Sequence, residues 1–220
     1  MTIRICIPIM PKTTNEALQL IAKAEQTQVD FIEVRLDNLE PGSKLADLTA
    51  HHKTPLIAAD RSRKSEIDRQ ALLLNAAKNG FQYVDTDLQS PKLQNFITQA
   101  KSFGAKCIVS SHDFAKTPGI PELTRILERE VSTGADVCKI VTTATNMDDN
   151  LTLLQFISAA PVRKKPVCFA MGEKGKTSRL LSPAFGSFFT FASLERGSET
   201  APGQMTVQEM RAAYEALGLK

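Results

Sequence analysis

The stretch Ile3-Arg4-Ile5-Cys6-Ile7-Pro8-Ile9-Met10-Pro11-Lys12 decides the fold class. Its apolar, isoleucine-rich opening predicts a strand over 3–9. The turn that follows, Met10-Pro11-Lys12, holds no glycine. An open dinucleotide-binding sheet needs a Gly-rich turn there, because its backbone must approach a pyrophosphate closely. An amphipathic pattern then covers 14–27, with apolar residues at Ala17, Leu18, Ile21, Ala22 and Ala24. The same unit recurs along the chain. Further strands are expected at 31–35, 55–59, 83–86, 106–110, 137–141, 166–170 and 187–191. Further helices are expected at 66–78, 91–102, 120–132, 148–157 and 206–217, with at most a turn or two around Ser182-Pro183. Alternating β and α segments imply parallel pairing through helical crossovers. Eight strands at near-regular spacing favour a closed (β/α)8 TIM barrel of the α/β class over a doubly wound sheet. For 220 residues the helices and loops must be lean, and residues 1–220 read as a single domain without a linker.

Composition narrows the function classes. Hydrophobic residues make up 42% and charged residues 23%, as in ordinary globular chains. The net charge of +3 is small and the basic residues are scattered, which argues against a nucleic-acid partner. No apolar run approaches the roughly 20 residues of a membrane helix, and the first residues carry no leader pattern. Cys6, Cys107, Cys138 and Cys168 each sit in a short apolar run without a close CxxC pair. They read as buried free thiols of a cytoplasmic protein; a four-cysteine metal site is the poorer alternative.

Barrel enzymes react at the C-terminal ends of their strands, so polar residues there are the ones to weigh. Lys139 lies inside Ala135-Asp136-Val137-Cys138-Lys139-Ile140-Val141. Strand alternation sets it opposite Cys138 and Ile140, so it can face the barrel interior. Burial disfavours the ammonium form, and a neutral amine can attack a ketone to form an imine. It can equally be a strand-end lysine that snorkels to solvent or pairs with Asp136. His112 follows the fifth strand, where an imidazole can act as general acid and base or serve as a hydrogen-bonded structural residue. His51 and His52 precede the third strand, at the opposite end, and read as surface residues. Glu33 and Arg35 sit two apart and so share one strand face, as a buried ion pair or as a carboxylate beside a substrate-binding cation. Arg61 and Arg179 add cations at the same mouth, which together suggest an anionic substrate. Asp85 or Asp87, closing the fourth strand, is expected to pair with one of these cations. The run 171–179 lacks phosphate-loop spacing, since its glycines are three apart; phosphate binding there is the minor alternative.

Five segments in register resemble type I 3-dehydroquinate dehydratases. They are Glu33-Val34-Arg35, Ser110-Ser111-His112-Asp113-Phe114 with Lys116-Thr117-Pro118, and Gly134-Ala135-Asp136-Val137-Cys138-Lys139-Ile140. The others are Met171-Gly172-x-x-Gly175-x-x-Ser178-Arg179 and Ala201-Pro202-Gly203-Gln204. The resemblance implies a cofactor-free, metal-free dehydration of 3-dehydroquinate to 3-dehydroshikimate in the shikimate pathway, by a homodimer in the cytoplasm. It implies that Lys139 forms the imine and His112 moves the α-proton, with Glu33 holding His112 and contacting substrate hydroxyls. Arg35 would bind the hydroxyl side, Arg61 and Arg179 the carboxylate side, with Thr200 and Gln204 in a loop that closes over the ring. The family's Thr-x-Arg on the third strand reads Ala59-Asp60-Arg61 here, and its glutamate four positions later falls on Ser65, with Glu66 one place off. Thr200 stands where the family has serine. Two other readings compete: a class I Schiff-base aldolase acting on a sugar phosphate, and a non-enzymatic binding protein on a barrel scaffold.

Overall fold

The computed structural model describes residues 3–50, 52–62, 64–161 and 166–219. Its elements alternate as expected: β1 Ile5–Ile9, α1 Thr14–Gln26, β2 Phe31–Arg35, α2 Leu45–Thr49, β3 Leu56–Ala59, α3 Glu66–Lys78, β4 Tyr83–Asp87 and α4 Leu93–Ser102. The second half follows with β5 Lys106–His112, α5 Ile120–Ser132, β6 Val137–Thr143, α6 Asp148–Ala159, β7 Val167–Met171, α7 Lys176–Leu181, β8 Thr190–Phe191 and α8 Val207–Ala216. All the paired strands are parallel, in the order β7-β6-β5-β4-β3-β2-β1-β8. The fold is a (β/α)8 TIM barrel.

Between β7 and β8 no ladder forms among the described residues. Side chains and one loop amide close the ring instead. The Ser187 hydroxyl accepts from the Cys168 N–H at 3.1 Å and donates to the Pro166 carbonyl at 3.0 Å. The Phe188 N–H reaches the same carbonyl at 3.2 Å. This is why the eighth strand, expected over 187–191, pairs only at Thr190 and Phe191.

Two-residue periodicity sorts the strand side chains. Phe31, Ile57, Tyr83, Ile108, Val137 and Val167 belong to the interior cluster. Their alternates, such as Ile32, Val84, Val109 and Ile140, pack outward under the helices. Moving two residues toward the C-terminal end of these strands reaches Glu33, Asp85, Ser110 and Lys139, a buried polar layer above the apolar one. β5 and β6 run two residues further than expected, which locks His112 into the ladder opposite Val141.

Local signals explain the helix limits. Thr13 caps α1, Ser65 caps α3, and Thr206 with Glu209 forms a full capping box on α8. The helix α2 was not expected, because five residues carry too little periodicity; it forms by burying Leu45 and Leu48. The four cysteines are buried and none is in a disulfide among the described residues. No helix among the described residues is long and apolar enough to cross a membrane. His52 binds the Thr54 carbonyl at 2.7 Å through Nδ1, away from the mouth, while His51 lies outside the described residues.

Candidate active site

At the C-terminal mouth lies a cavity of about 290 Å³. Phe169 and Phe191 line it, 5.8 Å apart between centroids, and rest on an aromatic layer in which Phe31 meets Tyr83 edge-on at 5.6 Å and Phe189 meets Phe191 at 5.4 Å. Two cations rest on the lining rings: Lys139 Nζ stands 4.4 Å from the Phe191 centroid and the Arg179 guanidinium 4.3 Å from that of Phe169. Cation–π contacts contribute only about 0.5–2 kcal/mol. They orient the two groups but cannot offset the burial of a charge on their own.

Lys139 is 5% exposed. Its Nζ donates to Asp85 Oδ2 at 2.8 Å and to Glu33 Oε2 at 3.3 Å. The expected alternative partner, Asp136, instead accepts from the Cys107 N–H at 2.8 Å and pairs with Lys101, at the other end of the strand. Asp85 Oδ2 also takes Arg61 Nη2 at 2.7 Å, and Asp85 Oδ1 accepts the Ser110 hydroxyl at 2.6 Å. Burial alone would raise the Asp85 carboxyl; Arg61, Lys139 and His112 outweigh it and hold it well below the usual carboxylate range. It is therefore a permanent anion in the floor of the site.

His112 lines the cavity and stacks on Phe114 with 5.9 Å between centroids. Burial, followed by the nearby Arg61 and Lys139 charges, pushes its imidazole well below the ordinary histidine value, against a weaker pull from Asp85. The ring is thus neutral near pH 7 and able to accept a proton. The expected Glu33–His112 hydrogen bond is not present among the described residues, because the Glu33 carboxylate turns to the nearer ammonium of Lys139. Ser65 and Glu66 do not supply a substitute. Ser65 is spent on the α3 cap, and Glu66 accepts from the Ser90 hydroxyl at 2.7 Å and pairs with Arg69.

The remaining residues named from the sequence converge on the cavity. Arg35 makes a bidentate pair with Asp37 at 2.9 and 2.7 Å and so reaches the mouth already partnered. Arg61 faces the cavity while bound to Asp85 and, at 3.1 Å, to Ser110. Arg179 differs from both. It is 1% exposed, has no carboxylate partner among the described residues, leaves Nε unbonded, and has only the Pro202 carbonyl at 3.4 Å. Burial brings its guanidinium down to about 9. A buried cation so poorly compensated favours an anionic ligand strongly.

The loop 200–204 forms one wall. The Thr200 N–H donates to Gln204 Oε1 at 2.8 Å and Gln204 Nε2 donates back to Thr200 Oγ1 at 3.1 Å. The Gly172 N–H binds the Pro202 carbonyl at 3.1 Å, which docks this loop onto the β7–α7 turn. That bond also occupies one of the amides a phosphate at 171–179 would need. Among the described residues no group of three or more His, Cys, Asp and Glu side chains is placed to hold a metal ion.

Asp85 and Ser110 are the site residues that sequence reasoning undervalued. Asp85 was one of two possible pairing acids and Ser110 part of a motif only. The available signal was strand parity, since each lies an even number of residues from an inward-facing Tyr83 or Ile108.

Comparison with known proteins identifies the family. A family model described as type I 3-dehydroquinase matches residues 5–220. The chain is 35% identical to 3-dehydroquinate dehydratase from Methanococcus maripaludis over 216 residues, 94% of this chain and 96% of that protein. The crystal structure of 3-dehydroquinate dehydratase from Geobacillus kaustophilus superposes with a TM-score of 0.89 over 99% of this chain and 92% of that one, at 22% identity. The type I enzyme from Clostridium difficile, with covalently modified comenic acid, gives 0.86 over 97% and 92%, at 25% identity.

Proposed function

The chain belongs to the type I 3-dehydroquinase family, and on that premise we propose that Lys139 is its Schiff-base nucleophile. The reaction is the dehydration of 3-dehydroquinate to 3-dehydroshikimate, a hydro-lyase step of the shikimate pathway to the aromatic amino acids. One observation carries the assignment: among the described residues, Lys139 is the only lysine lining the cavity, and it is buried there.

The chemistry follows from the residues. Attack of the Lys139 amine on the ring ketone and loss of water yield an iminium; both hydrogens of that water come from the ammonium, so charge is conserved. The iminium nitrogen withdraws electrons more strongly than a carbonyl oxygen, which acidifies the α-proton. Neutral His112 takes this proton, an assistance worth about 10²–10⁴-fold. The β-hydroxyl leaves with it as water. A second water hydrolyses the imine, which frees the product and restores the lysine. The iminium itself serves as electron sink, so the mechanism calls for no metal and no organic cofactor. Arg179 and Arg61 bind the substrate carboxylate, Glu33 and Arg35 its hydroxyls, and Thr200 with Gln204 closes the ring in. The buried guanidinium of Arg179, without a carboxylate partner among the described residues, supports that orientation.

The working unit under this reading is a homodimer of one catalytic domain over 1–220, in the cytoplasm. Met147 and Leu151, 57% and 58% exposed and one helical turn apart, offer apolar surface to a second copy.

Borohydride reduction in the presence of 3-dehydroquinate, followed by peptide mass spectrometry, tests the assignment. A stable adduct on Lys139, absent in Lys139→Ala, is expected. An adduct on another lysine would overturn the site, and cleavage of a sugar phosphate without dehydration would favour the aldolase. Neither adduct nor turnover would leave a binding protein.

A further inference from the structure

We propose that Asp85 is the counter-ion of the iminium formed on Lys139, and so a catalytic residue of the reaction; this rests on Lys139 being the nucleophile. Asp85 Oδ2 touches the nitrogen that reacts, at 2.8 Å, closer than Glu33 at 3.3 Å. The carboxylate is fully buried and cannot swing away. Arg61 holds Oδ2 at 2.7 Å, the Ser110 hydroxyl holds Oδ1 at 2.6 Å, and the backbone pairs it with Ala59 and Ile108.

Charge conservation gives this anchoring its purpose. The ammonium carries one positive charge before the reaction, and the iminium carries one on the same nitrogen afterwards. Two N–H bonds are lost, their hydrogens leave with the ketone oxygen as water, and the single remaining iminium N–H can keep the Asp85 contact. A fixed anion at that point stabilises the iminium without reorganisation and sets the plane in which the C=N bond forms. The other charged or titratable groups around the pair include Cys6 from β1, Glu33 and Arg35 from β2, Arg61 after β3, His112 from β5 and, behind β6, Glu130 from α5.

Asp85→Asn tests this role. In a folded variant, kcat is expected to fall about a hundredfold. The fraction of folded enzyme trapped by borohydride as the Lys139 adduct at saturating 3-dehydroquinate should fall with it, because the iminium has lost its nearest anion. A merely structural role would lower Tm and leave the trapped fraction of the folded enzyme in place. Wild-type kcat with an unchanged trapped fraction would overturn the proposal. Should Asp85→Asn not fold, Asp85→Glu replaces it: the displaced charge should lower kcat, and unchanged kcat would overturn the proposal. Borohydride trapping of the parent enzyme on Lys139 runs alongside. Its failure removes the nucleophile assignment itself, whereas its success with an indifferent Asp85→Asn removes only the counter-ion.

Discussion

Glu130, on the inner face of α5 with Leu123 and Leu127, is wholly buried, with the Lys139 backbone N–H and the Cys138 thiol set against its carboxyl. Burial raises its carboxyl to about 9, so at neutral pH it is a protonated acid wedged behind β6. The folded value lies above the unfolded one. Its stabilising contribution is therefore complete below the ordinary glutamate value of 4.5 and is lost as pH rises through about 9. Each pH unit in that window removes about 1.4 kcal/mol. Between pH 6 and 9 the parent should lose on the order of 10 °C in Tm, and Glu130→Gln should lose much less. Equal slopes in paired thermal melts would show that Glu130 is not the titrating group. Neither this acid nor its cost was visible in the sequence, where Glu128-Arg129-Glu130 looks like an ordinary charged stretch of helix. Lys139 and His112 were legible because they interrupt apolar strands at inward parity. Which carboxylates Lys139 would meet was not, since Glu33, Asp85 and Lys139 come together only when the ring closes.

At the scale of elements, what could be read depended on length. The 13-residue helices α1, α3 and α5 carry enough turns and caps to declare themselves. The five-residue α2 and two-residue β8 exist because tertiary neighbours hold them, and no local pattern announces them. The loop 200–204 is held by contacts just as specific. Gly203 adopts φ +77°, and a Cβ added there would stand 2.2 Å from the Gly172 carbonyl oxygen. Gly203→Ala must therefore lift the loop from the β7–α7 turn and shift Thr200 and Gln204 with it. A misplacement of about 1 Å costs on the order of a hundredfold, so kcat/KM should drop by that much, mostly through KM, while Tm changes little because the loop is not core. Unaltered steady-state kinetics would mean that the docked loop is dispensable.

For the molecule as a whole, the barrel followed from regular spacing and from the absence of a glycine turn after β1, since eight βα units leave few topologies to choose from. Its assembly did not follow, because exposed apolar residues such as Met147 and Leu151 have no pattern in sequence that separates a partner surface from ordinary exposure. Sedimentation equilibrium should return twice the 24.1 kDa chain mass; the mass of one chain at micromolar concentration would refute the dimer. The ring itself is uneven. Among the described residues seven of its joints are hydrogen-bonded ladders, and the eighth is held by the Ser187 hydroxyl and the Phe188 amide. Mechanically the barrel is a belt with a single clasp. Pulled or heated, such a belt parts at the clasp, so opening starts between β7 and β8 and leaves the β2–β6 arc, which bears Glu33, Asp85, His112 and Lys139, still folded.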